Sequence, residues 1–325
     1  RTFMTRLQAD ALILLAALIW GTTFIAQITA LEEVGSFTFS AARFAIAAAF
    51  VIPFAIWEDR RARANTHVAS QAHLAPQAPA LAAGESAPGA STGLRANAGL
   101  MIAIGCAFAG GALLQQIGLE TTTATNAGFL TALYVLLVPP FMVLLTSERP
   151  SWLIWPAAGL ALVGVWLLGG GTLAGFVVGD WLMLAGAIGW ALHVVLIGLA
   201  VRRMGRPMAC VAVQYIVTTS IAAVLAFSFE TPALAGLLRI VPELLYAGIV
   251  SGGIAFSLQA VAQRHTPPAD AAVIMSTESL FAAVSGVLLL SEVIAPIGIA
   301  GCALILLAVL LVEAGPYVPR RRTAQ

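Results

Sequence analysis

One carboxylate, Glu278, stands inside a long apolar stretch, about nine residues from its start. An ionised group at the centre of a lipid-embedded helix costs about 2.5–3.5 kcal/mol on insertion scales. A carboxyl at that depth therefore needs an answer: a proton, a ligand's ammonium group, or neighbours that hold it as a neutral packing residue. Gln115 and Gln259 also lie in apolar stretches. Their amides can hydrogen-bond a polar ligand without committing to a charge, or clamp one helix to another. His193 falls inside an apolar run, whereas His67, His73 and His265 do not. A lone histidine makes no zinc site, which leaves ligand contact or a helix-to-helix hydrogen bond. Trp20, with Thr23 on the same run, Tyr134 and Trp190 present faces suited to apolar or aromatic groups. Arg43, near the end of its run, is expected to snorkel its guanidinium to an interface.

Catalytic patterns are missing from the sequence. It contains no His-Glu-x-x-His, no Gly-x-Ser-x-Gly and no Cys/His cluster at metal-ligand spacing. Gly169-Gly170-Gly171 resembles a phosphate loop, but no Lys follows it, and the chain has no Lys at all. Cys106, Cys210 and Cys302 each lie in an apolar stretch and are expected to be small buried residues. The formal net charge is +1, with no basic stripe interleaved with aromatics. These features predict no enzyme, no metal, no cofactor, no nucleic acid and no ATP.

The elements that must position the candidates are apolar to a degree no water-soluble core can hide. Apolar residues make up 60% of the chain and charged residues 10%, against about 45–50% and 25% in soluble domains. A spanning helix takes about 20 apolar residues, and charge-poor runs supply ten: 11–31, 37–57, 98–118, 124–146, 151–169, 180–201, 208–229, 243–263, 270–291 and 294–313. They lack the alternation of barrel strands. The first run exceeds the roughly 7–15 residues of a signal-peptide core and reads as a span, with Met4 a candidate natural start. Trp152, Trp155 and Trp181 sit near run ends as interface anchors. Fourteen of the sixteen arginines fall on the side shared by both termini, which predicts cytoplasmic termini. The connection Glu58–Ala96, broken by Pro76, Pro79 and Pro88, is expected to be a mobile cytoplasmic loop.

The chain repeats itself. An offset of 144 places Gln115 on Gln259, Thr122 on Thr266, Tyr134 on Glu278 and Ser147-Glu148 on Ser291-Glu292. An offset of 170 places Asp10 on Asp180 and Trp20 on Trp190; the offsets differ by the extra length of the Glu58–Ala96 connection. Two repeats follow, 9–170 and 179–313. Five spans each is an odd number, so the second half enters the membrane inverted, the plan of many secondary transporters. The fold class predicted is an all-α membrane protein of ten spanning helices, a 5+5 inverted repeat around a central cavity.

These blocks resemble the EamA-type branch of the drug/metabolite transporter superfamily, and among its members the aromatic amino-acid and metabolite exporters. The likeness is carried by Ile19-Trp20-Gly21-Thr22-Thr23-Phe24, Ala42-Arg43-Phe44, Ser147-Glu148-Arg149-Pro150 and Thr277-Glu278-Ser279-Leu280-Phe281. Ser279 follows Glu278 where the family motif usually has Pro, so a kink there is not implied. The resemblance implies a ten-helix basket with a cavity lined by the first, third, fourth, sixth, eighth and ninth helices. It also implies export of amino acids or related amphipathic solutes; the expected setting is a bacterial inner membrane, the expected unit a monomer, and Glu278 the candidate site for proton coupling. A drug or nucleoside-type efflux carrier, and a channel or scaffold, stay open as alternatives.

Overall fold

The computed structural model describes residues 4–72, 97–168, 170–171, 177–291, 293 and 295–314, with backbone alone for 65–72, Leu290 and Glu313. In chain order the helices are α1 (Arg6–Ala30), α2 (Ser36–Ala72), α3 (Ala98–Gly118), α4 (Ala124–Ala132), α5 (Tyr134–Thr146), α6 (Ile154–Leu168), α7 (Val178–Met204), α8 (Pro207–Phe229), α9 (Leu234–Arg239) and α10 (Val241–Leu245). A π-helical stretch, Tyr246–Ala255, leads into α11 (Phe256–Ala262), α12 (Pro268–Met275), α13 (Glu278–Leu290) and α14 (Pro296–Ala314). No strand occurs among the described residues. Eight helical stretches are long and apolar enough to cross a membrane, and the shorter apolar helices Ile154–Leu168 and Pro296–Val312 accompany them.

Two of the expected continuous runs are broken, and at equivalent points. The run 124–146 is interrupted at Leu133 between α4 and α5, and the run 270–291 at Ser276–Thr277 between α12 and α13. Tyr134 and Glu278 thus each open a second half-helix. No proline is needed at the second break. Ser276 and Thr277 hydroxyls donate back to the carbonyls of Val273 (2.6 Å) and Ile274 (2.7 Å). Such back-bonding satisfies carbonyls that a broken helix would leave bare in lipid. Both half-helices then end in a left-handed serine, Ser147 at φ 57° and Ser291 at φ 56°, again 144 apart.

The halves interdigitate rather than sit side by side. α3 packs along α7, α2 along α8, α6 along α14 and α1 along α13. Small residues allow the close approach: a Cβ on Gly164 would fall 2.7 Å from the Gly301 carbonyl, and one on Gly301 would collide with that of Gly164. The outward faces carry exposed apolar side chains such as Leu144, Phe227 and Leu288.

The repeat is also written in crossed polar contacts. Asp10 accepts from the Thr266 hydroxyl, and Asp180 accepts from that of Thr122 at 2.6 Å. Each half lends its aspartate to the other half's threonine. Gln116 donates to the carbonyl of Gln27 near the end of α1, and Gly118 abuts Gly179. The Asp180 contact therefore lies at the far end of α1 from Asp10. Arg6 extends the Asp10 cluster, reaching Asp10 at 3.3 Å and Asp270 at 2.6 Å.

Three expectations need correction. Residues 58–72 continue α2 rather than opening a loop. Asp59 pairs with Arg63 one turn on (2.7 Å) and with Arg206 (2.6 Å), and Glu58 accepts from Ala209 N at 3.1 Å. These contacts carry a charged helix past the apolar boundary and tie it to α8. The rest of that connection, Glu292 of the repeated Ser-Glu pair, and Arg1, Arg95 and Arg320–Arg322 lie outside the described residues. Cys106 is exposed on α3 and Cys302 half-buried, with only Cys210 buried. Their apolar surroundings in sequence are the same whether a face meets lipid or a neighbouring helix. Arg43, finally, does not reach an interface; it is 5% exposed and points into the pocket described next.

Candidate functional site

On α1 the side chains at 20, 23, 24 and 27 share one face, the i, i+3, i+4, i+7 spacing of a helix. On α7, Trp190, His193 and Val194 do the same. Both faces turn toward one pocket, a cavity of about 60 Å³. That volume corresponds to roughly four or five waters at most. Trp20, Thr23, Gln115, Tyr134, Trp190, His193, Gln259 and Glu278 all line it.

The pocket has an aromatic wall. Trp20 lies 4.6 Å from Phe256, Phe256 stands 4.9 Å from Phe108, and Trp190 is stacked at 15° to Phe256 with centroids 6.0 Å apart. Edge-to-face and offset contacts of this kind hold the rings in fixed orientation. Phe44 continues the wall, 5.2 Å from Phe108, and carries the Arg43 guanidinium 4.4 Å above its own ring.

Its polar groups divide into partnered and unpartnered. Gln115 accepts from Trp190 Nε1 at 3.0 Å and donates to Gln27 Oε1 at 3.4 Å, so it serves the pocket and clamps α3 to α7 together. His193 Nε2 meets Gln214 Oε1 at 2.9 Å, the helix-to-helix bond left open above. Thr23 turns its hydroxyl back to the Ile19 carbonyl at 2.6 Å. By contrast, Trp20 Nε1, Arg43 Nε, His193 Nδ1, Gln259 Oε1 and Glu278 Oε1 are buried without a hydrogen-bond partner among the described residues. Unpartnered polar atoms are rare inside proteins and each asks for an explanation. Of twelve such atoms among the described residues, these five belong to side chains that line the pocket.

The π-helical stretch supplies the remaining wall through Ala247, Ser251 and Gly252. Its Gly252 carbonyl accepts the Tyr215 hydroxyl, and such stretches are frequent at functional sites. Sequence reading placed a regular helix here and missed Ser251. It also missed Phe24 and Gln27, although the face defined by Trp20 and Thr23 contains both. Phe44, Thr131 and Phe256 gave no separate signal. No group of three metal-binding side chains occurs among the described residues.

The EamA-like transporter family matches the chain twice, over residues 7–170 and 177–314. An uncharacterized transporter of Archaeoglobus fulgidus is 31% identical over 321 residues, spanning 95% of this chain and 86% of the relative. A solved crystal structure superposes with a TM-score of 0.67 across 97% of this chain and all of its own, at 19% identity, a likeness of fold alone. An all-helical, multi-pass membrane protein whose two halves each match one transporter family is not a member of an enzyme family; the chain belongs to the EamA-like transporter family.

Proposed function

We propose that the chain is a secondary, alternating-access carrier that exports small amphipathic metabolites, amino acids foremost, through the pocket between its halves. The observation that carries this reading is a single pocket in which fixed aromatic faces and unpartnered polar groups from both halves converge. The ten apolar segments are read as ten spans in two inverted sets of five, 9–170 and 179–313, with both termini cytoplasmic in a bacterial inner membrane and the monomer as the working unit. Equivalent helix breaks and crossed Asp–Thr contacts support two halves able to exchange conformations. Glu278 is the candidate for proton coupling. The test is counterflow into proteoliposomes: labelled phenylalanine uptake that saturates and is accelerated by unlabelled phenylalanine inside. Linear uptake without such acceleration would assign a pore instead.

The crossed contacts make a second prediction. A charge-assisted hydrogen bond contributes about 1.5–3 kcal/mol, so removing one shifts the balance between the two access states about ten-fold or more. Thr266→Val loosens the Asp10 end and Thr122→Val the Asp180 end. The two variants are expected to move the half-saturating concentrations measured from the two membrane faces in opposite directions. Shifts of the same sign would show that the contacts do not oppose one another.

A further inference from the structure

A buried charge persists only when something answers it. Arg43 and Glu278 are 5% and 6% exposed and line the same pocket. Among the described residues neither makes an ion pair or a side-chain hydrogen bond, and Arg43 Nε and Glu278 Oε1 are shielded from solvent. The guanidinium touches rings, Phe44 at 4.4 Å and Phe39 at 5.3 Å from Cζ. Ring faces attract a cation but offer its N–H groups no directed acceptor of carboxylate strength. The two charges come from different halves and different walls. Arg43 rides on α2, against the π-helical stretch at Gly248; Glu278 opens α13, against α1 at Gly21. The rings of Trp20, Phe256 and Trp190 also line the pocket.

The geometry points to a two-ended charge clamp: Arg43 takes the carboxylate of the solute, Glu278 takes its ammonium group, and the rings hold its apolar body. The ligand class is an α-amino acid in its zwitterionic form with an apolar or aromatic side chain. Arg43 is the specificity-determining residue, since its planar fork matches a carboxylate and an amine alone leaves it unanswered. The clamp also makes the pocket's charge complete only when both halves grip one solute. This assignment rests on the carrier reading above and goes beyond it by fixing which groups the solute must carry.

The experiment is counterflow of labelled phenylalanine by the full-length protein in proteoliposomes, in competition with phenylalaninamide, which keeps only the ammonium, and 3-phenylpropanoate, which keeps only the carboxylate. Wild type is expected to prefer phenylalanine over either competitor by about ten-fold or more, and Arg43→Gln to raise its half-saturating concentration about thirty-fold. The affinity for phenylalaninamide stays near its wild-type value in Arg43→Gln, and Arg43→Lys recovers part of the loss. A structural defect would weaken all three alike, and that outcome overturns the clamp. If Arg43→Gln does not fold, the wild-type ranking decides by itself. Wild type that carries the amide as well as phenylalanine refutes the clamp while leaving the carrier standing; wild type that carries none of the three removes both.

Discussion

Glu278→Gln is expected to abolish the response of transport to a pH gradient while the protein stays folded. The carboxyl is buried at the first turn of α13, and its Oε1 has no hydrogen-bond partner among the described residues. Nothing in the surroundings of that oxygen depends on a negative charge for packing, so an amide of the same shape fits. What the amide cannot do is take up and release a proton, or pair with an ammonium group. Truncating one member of a buried charge pair costs about 2–5 kcal/mol, so flux of a zwitterionic solute falls about thirty-fold or more. The measurement is flux in proteoliposomes at several internal and external pH values, beside size-exclusion behaviour in detergent. A Glu278→Gln protein whose residual flux ignores pH supports the coupling role. One that keeps the wild-type pH response removes it.

Gly21→Leu is expected to remove transport altogether and to lower the melting temperature in detergent. A Cβ on Gly21 would fall 2.6 Å from the Glu278 carbonyl and 2.6 Å from Phe281 Cβ, and 2.7 Å from the Ala282 nitrogen. Two of those neighbours are backbone, which cannot rotate away. Overpacking typically costs about 1–3 kcal/mol, and here relief requires α1 and α13 to separate. That separation displaces Trp20 from one side and Glu278 from the other, so function is lost before the fold is. Gly21→Ala is the milder companion and should retain part of the activity. A Gly21→Leu protein with wild-type flux would mean that α1 and α13 do not approach as closely as their backbones indicate.

Much of this organisation was legible in the sequence because lipid imposes a simple rule. Runs such as 98–118 and 208–229 must be helices, and they are. The offsets of 144 and 170 held real information as well: they paired Tyr134 with Glu278 and Thr122 with Thr266, and these positions open equivalent half-helices and make crossed contacts. Trp20, Gln115, Trp190 and Gln259 stood out because aromatic and amide groups are conspicuous in an oily helix. The eight candidates meet at one pocket since each lies on the inward face of its helix.

What could not be read has physical causes. The breaks at Leu133 and at Ser276–Thr277 come from tertiary approach and hydroxyl back-bonding, neither of which changes the hydropathy of the run. The π-helical stretch Tyr246–Ala255 depends on Gly248, Gly252 and Gly253 lying tight against α2, a contact across about 200 residues of sequence. Arg43 was misplaced because an arginine near a run's end ordinarily escapes to water. Its cage of Phe39 and Phe44 sits one helical turn before it and immediately after it in sequence, yet only the fold shows that the pocket, not the interface, lies in front of it. Cys106 illustrates the converse: hydropathy alone does not separate a face toward lipid from one toward a partner helix.

Alternating access requires the pocket to open in turn to each side of the membrane. Ser251 is small, 5% exposed and lines the pocket, so Ser251→Cys, with Cys106, Cys210 and Cys302 changed to Ser, places a single reporter thiol there. The measurement is labelling of that thiol by a membrane-impermeant maleimide added to either face of sealed vesicles. Labelling from both faces, slowed by phenylalanine, is the predicted result. A thiol reached from neither face, or one that phenylalanine does not protect, would contradict it.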